Sequence, residues 1–310
     1  MAVAAEHLLA DATAVNAALI ALGLLLGVPH GSLDHLLAAN VLAVRAVTAT
    51  VAYAALAAAA WAVLHWGGAV PLALMIVASI VHFGLGEVET MDIQFDTNIF
   101  QRTALLLTGA GCLVLPLARG GPGWDETLRT LSPSLAGLFG SSTTRFVLIG
   151  IWAASALVAA HLLTVERRWL ILLDIAVIGV VGSLVAPLVA FALWFGLWHG
   201  PRHLARLVAH ESADDRRSTT TRQAWTATIR RATPATLGAY ATLAAVVGVV
   251  VGYGSTTGAV ATAIVVLLAL TAPHMIVVAA MDSAAHRRRR VDTATATART
   301  RRDSRVSVAG

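Results

Sequence analysis

Lysine is absent from this chain, cysteine occurs once, at Cys112, and charged residues make up only 13% of its 310 positions. A soluble domain carries about 25% charged residues on roughly 45–50% apolar ones. Here the apolar share is 57% and the mean hydropathy is +0.76, so there is too little charge to cover a water-facing surface. Disorder is excluded by the apolar content, and a disulfide scaffold by the lone thiol. No glycine-rich segment follows a strand or opens a βαβ unit, which argues against a nicotinamide or flavin fold. No two histidines are adjacent. What remains is a chain built for lipid: an all-α, polytopic transmembrane helix bundle.

All 22 basic residues are arginine, and they are concentrated late: seven between Arg202 and Arg231, eight between Arg287 and Arg305. Beside apolar spans such runs read as cytoplasmic retention rather than as a nucleic-acid surface. Apolar runs fall at 13–29, 36–64, 69–86, 101–118, 145–164, 169–186, 188–209, 235–253 and 257–281. Each is near the roughly 20 residues that cross a bilayer, and the break near Pro187 decides between eight spans and nine. With the basic tail inside, nine spans leave only Arg119, Arg129 and Arg145 outside, so 19 of 22 arginines are inside. The domain reading is one transmembrane domain, 1–285, in a multi-pass cell-membrane protein with its N-terminus outside. It is followed by an Arg/Thr-rich tail, 286–310, without fixed structure.

Of the 11 histidines, six stand in or at the ends of apolar runs: His30, His35, His82, His199, His203 and His274. An ionisable residue at membrane depth is costly and marks a functional site by default. The segment Gly27-Val28-Pro29-His30-Gly31-Ser32-Leu33-Asp34-His35 breaks a helix around His30, and Asp34 is placed to orient an imidazole. Glu87, five residues after His82, reads as an interfacial charge. In Trp198-His199-Gly200-Pro201-Arg202-His203 two imidazoles four apart share a helix face. Pro201 demands either a helix end after His199 or a bend at the site. A proline also precedes His274. Taken singly, each of these has an ordinary structural reading as a buried, hydrogen-bonded histidine. Together, imidazoles without a thiolate and with few carboxylates suit iron, copper or zinc. Gathering His30, His82, His199 and His274 at one depth requires nine spans, with an outer turn near Pro187.

These motifs resemble the Brp/Blh family of membrane β-carotene 15,15′-dioxygenases. GVPHGSLDH at 27–35, HFGLGE at 82–87, WHGPRH at 198–203 and APHM at 272–275 occur in the family's order. The resemblance implies Fe(II) held by His30, His82, His199 and His203, with Asp34, His35 and His274 orienting ligands or lining the site. It also implies β-carotene and O2 as substrates, all-trans-retinal as product and a rhodopsin apoprotein as its acceptor. Glu87 stands where the family pattern leads one to expect Asp, and Gly200-Pro201 is more disruptive than expected there.

The residues fit this chemistry. A long hydrocarbon dissolved in the bilayer meets an embedded enzyme without entering water. Iron, with no catalytic side chain beyond its ligands, would carry the O2 chemistry. Trp194, Phe195 and Trp198 are candidates to line the substrate pocket. Two other classes compete. A His-rich membrane di-iron desaturase or hydroxylase uses more histidines, in boxes with adjacent pairs. A non-enzymatic transporter would use Asp174, the sole charge between Trp169 and Trp198, in an ion path.

Overall fold

The computed structural model describes residues 13–90, 97–214, 221–252 and 256–308, and every element among them is helical. In chain order these are α1 (Thr13–Gly27), a 3-10 turn (Val28–Leu33), α2 (Asp34–Leu42), α3 (Ala46–Trp66), α4 (Ala69–Thr90), α5 (Ile99–Gly109) and α6 (Gly111–Arg119). They continue with α7 (Pro122–Leu131), α8 (Pro133–Gly140), α9 (Ser142–Val165), α10 (Trp169–Leu184), α11 (Pro187–Leu193), a π-helical turn (Trp194–His199), α12 (Gly200–Asp214), α13 (Thr221–Gly252) and α14 (Thr256–Val308). Large apolar side chains point outward from these rods: Leu74 is 66% exposed, Leu157 73% and Leu170 80%. That pattern, inverted from a water-soluble protein, is the surface of a multi-pass protein in contact with acyl chains.

Among the described residues six helices are long and apolar enough to cross a membrane: Val15–Leu42, Ala46–Trp66, Ala69–Glu89, Ser142–Val165, Trp225–Val249 and Thr257–Ala284. A seventh is reached if α5 and α6, bent by 59° at Ala110, form one broken span. The expected count of nine is not reached. α10 is only 16 residues long, and the run after Pro187 is interrupted by the π turn. α14 continues as helix beyond its apolar stretch to Val308, through the tail that the sequence reading left without fixed structure. Alanine and arginine both favour helix, and here their propensity carries the rod onward.

Lipid gives no hydrophobic drive for helices to associate, so close packing must come from small residues. The chain supplies them in register. A Cβ on Gly196 would stand 2.2 Å from the carbonyl oxygen of Gly23, and one on Gly23 would stand 2.2 Å from that of Ala192. A Cβ on Gly200 would lie 3.2 Å from the Cα of Gly27. Gly23 and Gly27 on α1 thus meet Gly196 and Gly200 across the π turn, glycine pairs four apart on both sides. His30 lies three residues beyond one pair, and His199 and His203 each lie three residues beyond a member of the other. α4 is tied in by the same device, because a Cβ on Gly84 would collide with the carbonyl of Leu106 at 2.5 Å. The bend between α5 and α6 is held by Trp152, whose indole N–H donates to the carbonyl of Thr108 at 3.1 Å.

Candidate functional site

His30 stands on the 3-10 turn, where Pro29 occupies the start and Gly27 precedes it. Its Nδ1 bonds the carbonyl oxygen of Gly27. A carbonyl only accepts, so Nδ1 carries the proton and Nε2 keeps its lone pair. His199 ends the π turn and His203 follows one turn into α12, their rings stacked 5.8 Å apart at 6°. Pro201 does not break the chain, because α12 begins at Gly200 directly after the π turn. The π turn, in which Gly200 bonds back to Phe195, absorbs the missing N–H and the ring's clash with the preceding turn.

The five rings of His30, His82, His199, His203 and His274 pack on one another in the interior of the bundle. Centroid separations from His30 are 5.4 Å to His199, 5.4 Å to His203 and 4.9 Å to His274. His82 stands 5.7 Å from His199 and 5.0 Å from His274, and His203 stands 5.1 Å from His274. His30, His199, His203 and His274 are each no more than 6% exposed. The structure therefore gathers the four histidines implied by the family resemblance and adds His274 at equal range. His35, half-buried on α2, is not among these touching rings. His65 stacks on Trp61 at the far end of α3, and His161 is exposed on α9.

Asp34 is fully buried and serves this cluster directly. Its Oδ2 accepts from Nδ1 of His274 at 2.8 Å and from the hydroxyl of Tyr53 at 3.0 Å. The Tyr53 hydroxyl also lies 3.1 Å from the carbonyl oxygen of Leu270. Tyr53 had no motif to announce it; the only signal was a lone phenol inside an alanine-rich span.

Glu87 is not an interfacial charge: it is 1% exposed and pairs with Arg202 at 3.3 Å. The other guanidinium nitrogen of Arg202 meets Asp174 at 2.8 Å, so the carboxylate that stood alone in the sequence has a partner 28 residues on. Arg202 also lies 4.2 Å from the centroid of the Trp198 ring. This ion triad, with both carboxylates buried and the guanidinium partly exposed, joins α4, α10 and α12. A planar fork that meets two carboxylates at once is geometry that lysine lacks.

Beside the histidines lies a partly open apolar cavity, walled by α4, α6, α7, α11, the π turn and α14. Leu72, Ile76, Phe83, Leu113, Phe191, Phe195 and Leu268 are among its lining residues. Its inner wall belongs to both features: Phe83 is 4.6 Å from the ring of His199, and Phe195 is 5.1 Å from that of His30. Of the aromatic residues singled out in the sequence, Phe195 lines the cavity. Trp194 instead packs in a core with Phe83, Cys112, Leu115 and Ile178, and Trp198 lies against that core and over Arg202.

Among the described residues no three or more His, Cys, Asp or Glu side chains already stand in metal-ligating geometry. The unspent atoms nevertheless suit one, because Nε2 of His199, His203 and His274 is buried without a hydrogen-bond partner. Other buried atoms are also without a partner, among them Asp34 Oδ1 and the indole nitrogens of Trp194 and Trp198, but these three Nε2 atoms belong to rings that pack on one another. Two imidazoles bound through nitrogen at about 2.1 Å and tetrahedral angles have ring centres about 5 Å apart, which is the separation most of these rings already have. The residues fit the group.

The fold and the site together define a polytopic membrane protein with a buried polyhistidine cluster facing a hydrocarbon-lined cavity. Residues 21–282 match the β-carotene 15,15′-dioxygenase family, and the chain belongs to that family. No curated protein and no solved structure matches it.

Proposed function

We propose that this chain cleaves β-carotene at its central 15,15′ double bond with O2, giving two molecules of all-trans-retinal, with Fe(II) held by His30, His82, His199 and His203. The observation that carries the reading is the shared wall: Phe83 and Phe195 line the apolar cavity and touch the imidazole cluster. A hydrocarbon in that cavity would lie against Phe83 and Phe195, the same side chains that pack on His199 and His30.

Bound iron would supply the O2 and electron chemistry that no side chain here provides. The protein's own part is placement. Gly27 holds His30 with its lone pair on Nε2, and the π turn sets His199 and His203 on one face. The phenylalanines exclude water, and the length of the cavity would fix where a symmetric chain stops relative to the ligands. Both oxygen atoms end in the two aldehydes, so no external reductant is required. The product is an apolar aldehyde that remains in the bilayer, where a rhodopsin apoprotein is a natural acceptor. The cell membrane is the expected location, with the N-terminus outside and the arginine-rich tail in the cytoplasm.

The competing classes lose their supporting features. A desaturase would need further histidines in adjacent pairs. The carboxylate of a transport path, Asp174, is tied to Arg202. The test is chromatography of extracts from cells that make β-carotene, with and without this chain. Retinal at about two per carotene consumed is the expected result for central cleavage, and longer carotenals would mean off-centre cleavage. Persistent orange colour without retinal, despite confirmed membrane expression and added iron, rejects the reading.

A further inference from the structure

We infer that His274 is itself a ligand of the metal centre, and that Asp34 with Tyr53 is the device that aims it. The inference rests on the iron reading above and enlarges the donor set from four imidazoles to five.

Three observations converge on this residue. Its ring is as close to the cluster as those of the four family-implied ligands are to one another: 4.9 Å from His30, 5.0 Å from His82 and 5.1 Å from His203. Its two nitrogens are treated differently. Nδ1 is 2.8 Å from Oδ2 of Asp34, and because a carboxylate accepts, the proton sits on Nδ1. Nε2 keeps a lone pair, is buried, and has no partner, a condition it shares with His199 and His203. A histidine that merely anchored Asp34 would not need its far nitrogen held bare among four other imidazoles.

The support behind it runs through one carboxylate oxygen, Oδ2 of Asp34. A carboxylate on the rear nitrogen fixes tautomer and ring orientation in metal-bound histidines and raises the basicity of the ligating nitrogen. Here the carboxylate is itself held, because the Tyr53 hydroxyl reaches Oδ2 at 3.0 Å and the carbonyl of Leu270 at 3.1 Å. Leu270 is one helical turn before His274, so α2, α3 and α14 are locked at the height of the ring. Pro273 is among the most deeply buried residues of α14. Lacking an N–H, it loosens the helix where the imidazole leaves it.

The experiment uses the full-length chain in detergent or lipid discs, loaded with Fe(II) and separately with Co(II). Metal per chain, apparent Kd and the visible Co(II) spectrum are recorded for the wild type, H274A, D34N and Y53F. The expected result is a loss of affinity of tenfold or more in H274A, with altered Co(II) bands. D34N should weaken binding by about 10–100-fold while keeping five imidazoles, and Y53F should weaken it less. The proposal is overturned if H274A, with a wild-type thermal melt, binds metal with wild-type affinity and an unchanged Co(II) spectrum. Should H274A fail to accumulate, D34N decides: wild-type affinity and spectrum in that variant overturn the proposal equally. A wild-type chain that binds neither metal sinks the iron reading itself, whereas metal bound by the wild type and equally by both variants sinks only the assignment of His274.

Discussion

Replacing Gly196 by alanine tests whether the glycine crossing is what brings the two halves of the site together. The added Cβ would lie 2.2 Å from the carbonyl oxygen of Gly23 and 2.6 Å from its Cα. A carbon and an oxygen in ordinary contact are about 3.3–3.6 Å apart, so α1 and the π turn must separate by roughly 1 Å. Both obstructing atoms are backbone, and no rotamer change relieves them. Overpacking of this kind costs about 1–3 kcal/mol, and the backbone contact puts G196A at the upper end. For a chain of this size that corresponds to a drop in Tm of about 4–5 °C. The same separation moves His199 away from His30, and a misplacement of about 1 Å at a reacting centre can lower turnover on the order of 100-fold. G150A is the control: nothing lies within 4 Å of its new methyl group. Alanine is favoured over glycine inside a helix by about 0.5–1 kcal/mol, so G150A should melt at or above the wild-type temperature. Thermal melts of the purified variants and retinal formation in carotene-making cells are the two readouts. If G196A melts and turns over like the wild type, the crossing does not position the site.

Other perturbations have definite expectations. R202M removes the guanidinium that Glu87 and Asp174 share and should destabilise the chain by about 1–3 kcal/mol, while R202K should recover only part of this because an ammonium lacks the fork; thermal melts compare the three. Alanine at His30, His82, His199 or His203 should remove most activity and lower bound iron, measured as metal per purified chain, and full turnover after iron is stripped would contradict the assignment. F195A enlarges the cavity where it meets His30 and should shift the products toward longer carotenals, which chromatography resolves. A reporter fusion after Gly68 should read as external, and a cytoplasmic signal there would refute an outside N-terminus.

Much of this protein was legible in its sequence because lipid imposes simple rules. A spanning segment must be helical and apolar, so composition alone declared the fold class. A histidine at membrane depth is expensive, so His30, His82, His199, His203 and His274 stood out against their surroundings before any contact was known. The family followed from the same segments, since the motifs that break the helices also carry the imidazoles. What the sequence could not supply was distance. Glu87 and Asp174 read as an interfacial charge and an isolated one until folding set Arg202 between them. Tyr53 had no motif, and its role depends on where α3 crosses Asp34. His274 was marked by its depth and by Pro273, but the resemblance implied only an orienting or lining role, and only the packing of α14 brings its ring among the others. The span count also required the structure, because apolar length cannot distinguish a straight rod from a pair bent by 59° at Ala110. Hydropathy is a property of each residue and survives in the linear chain; which lone pairs meet is a property of pairs, and only the crossing of helices at glycine decides it.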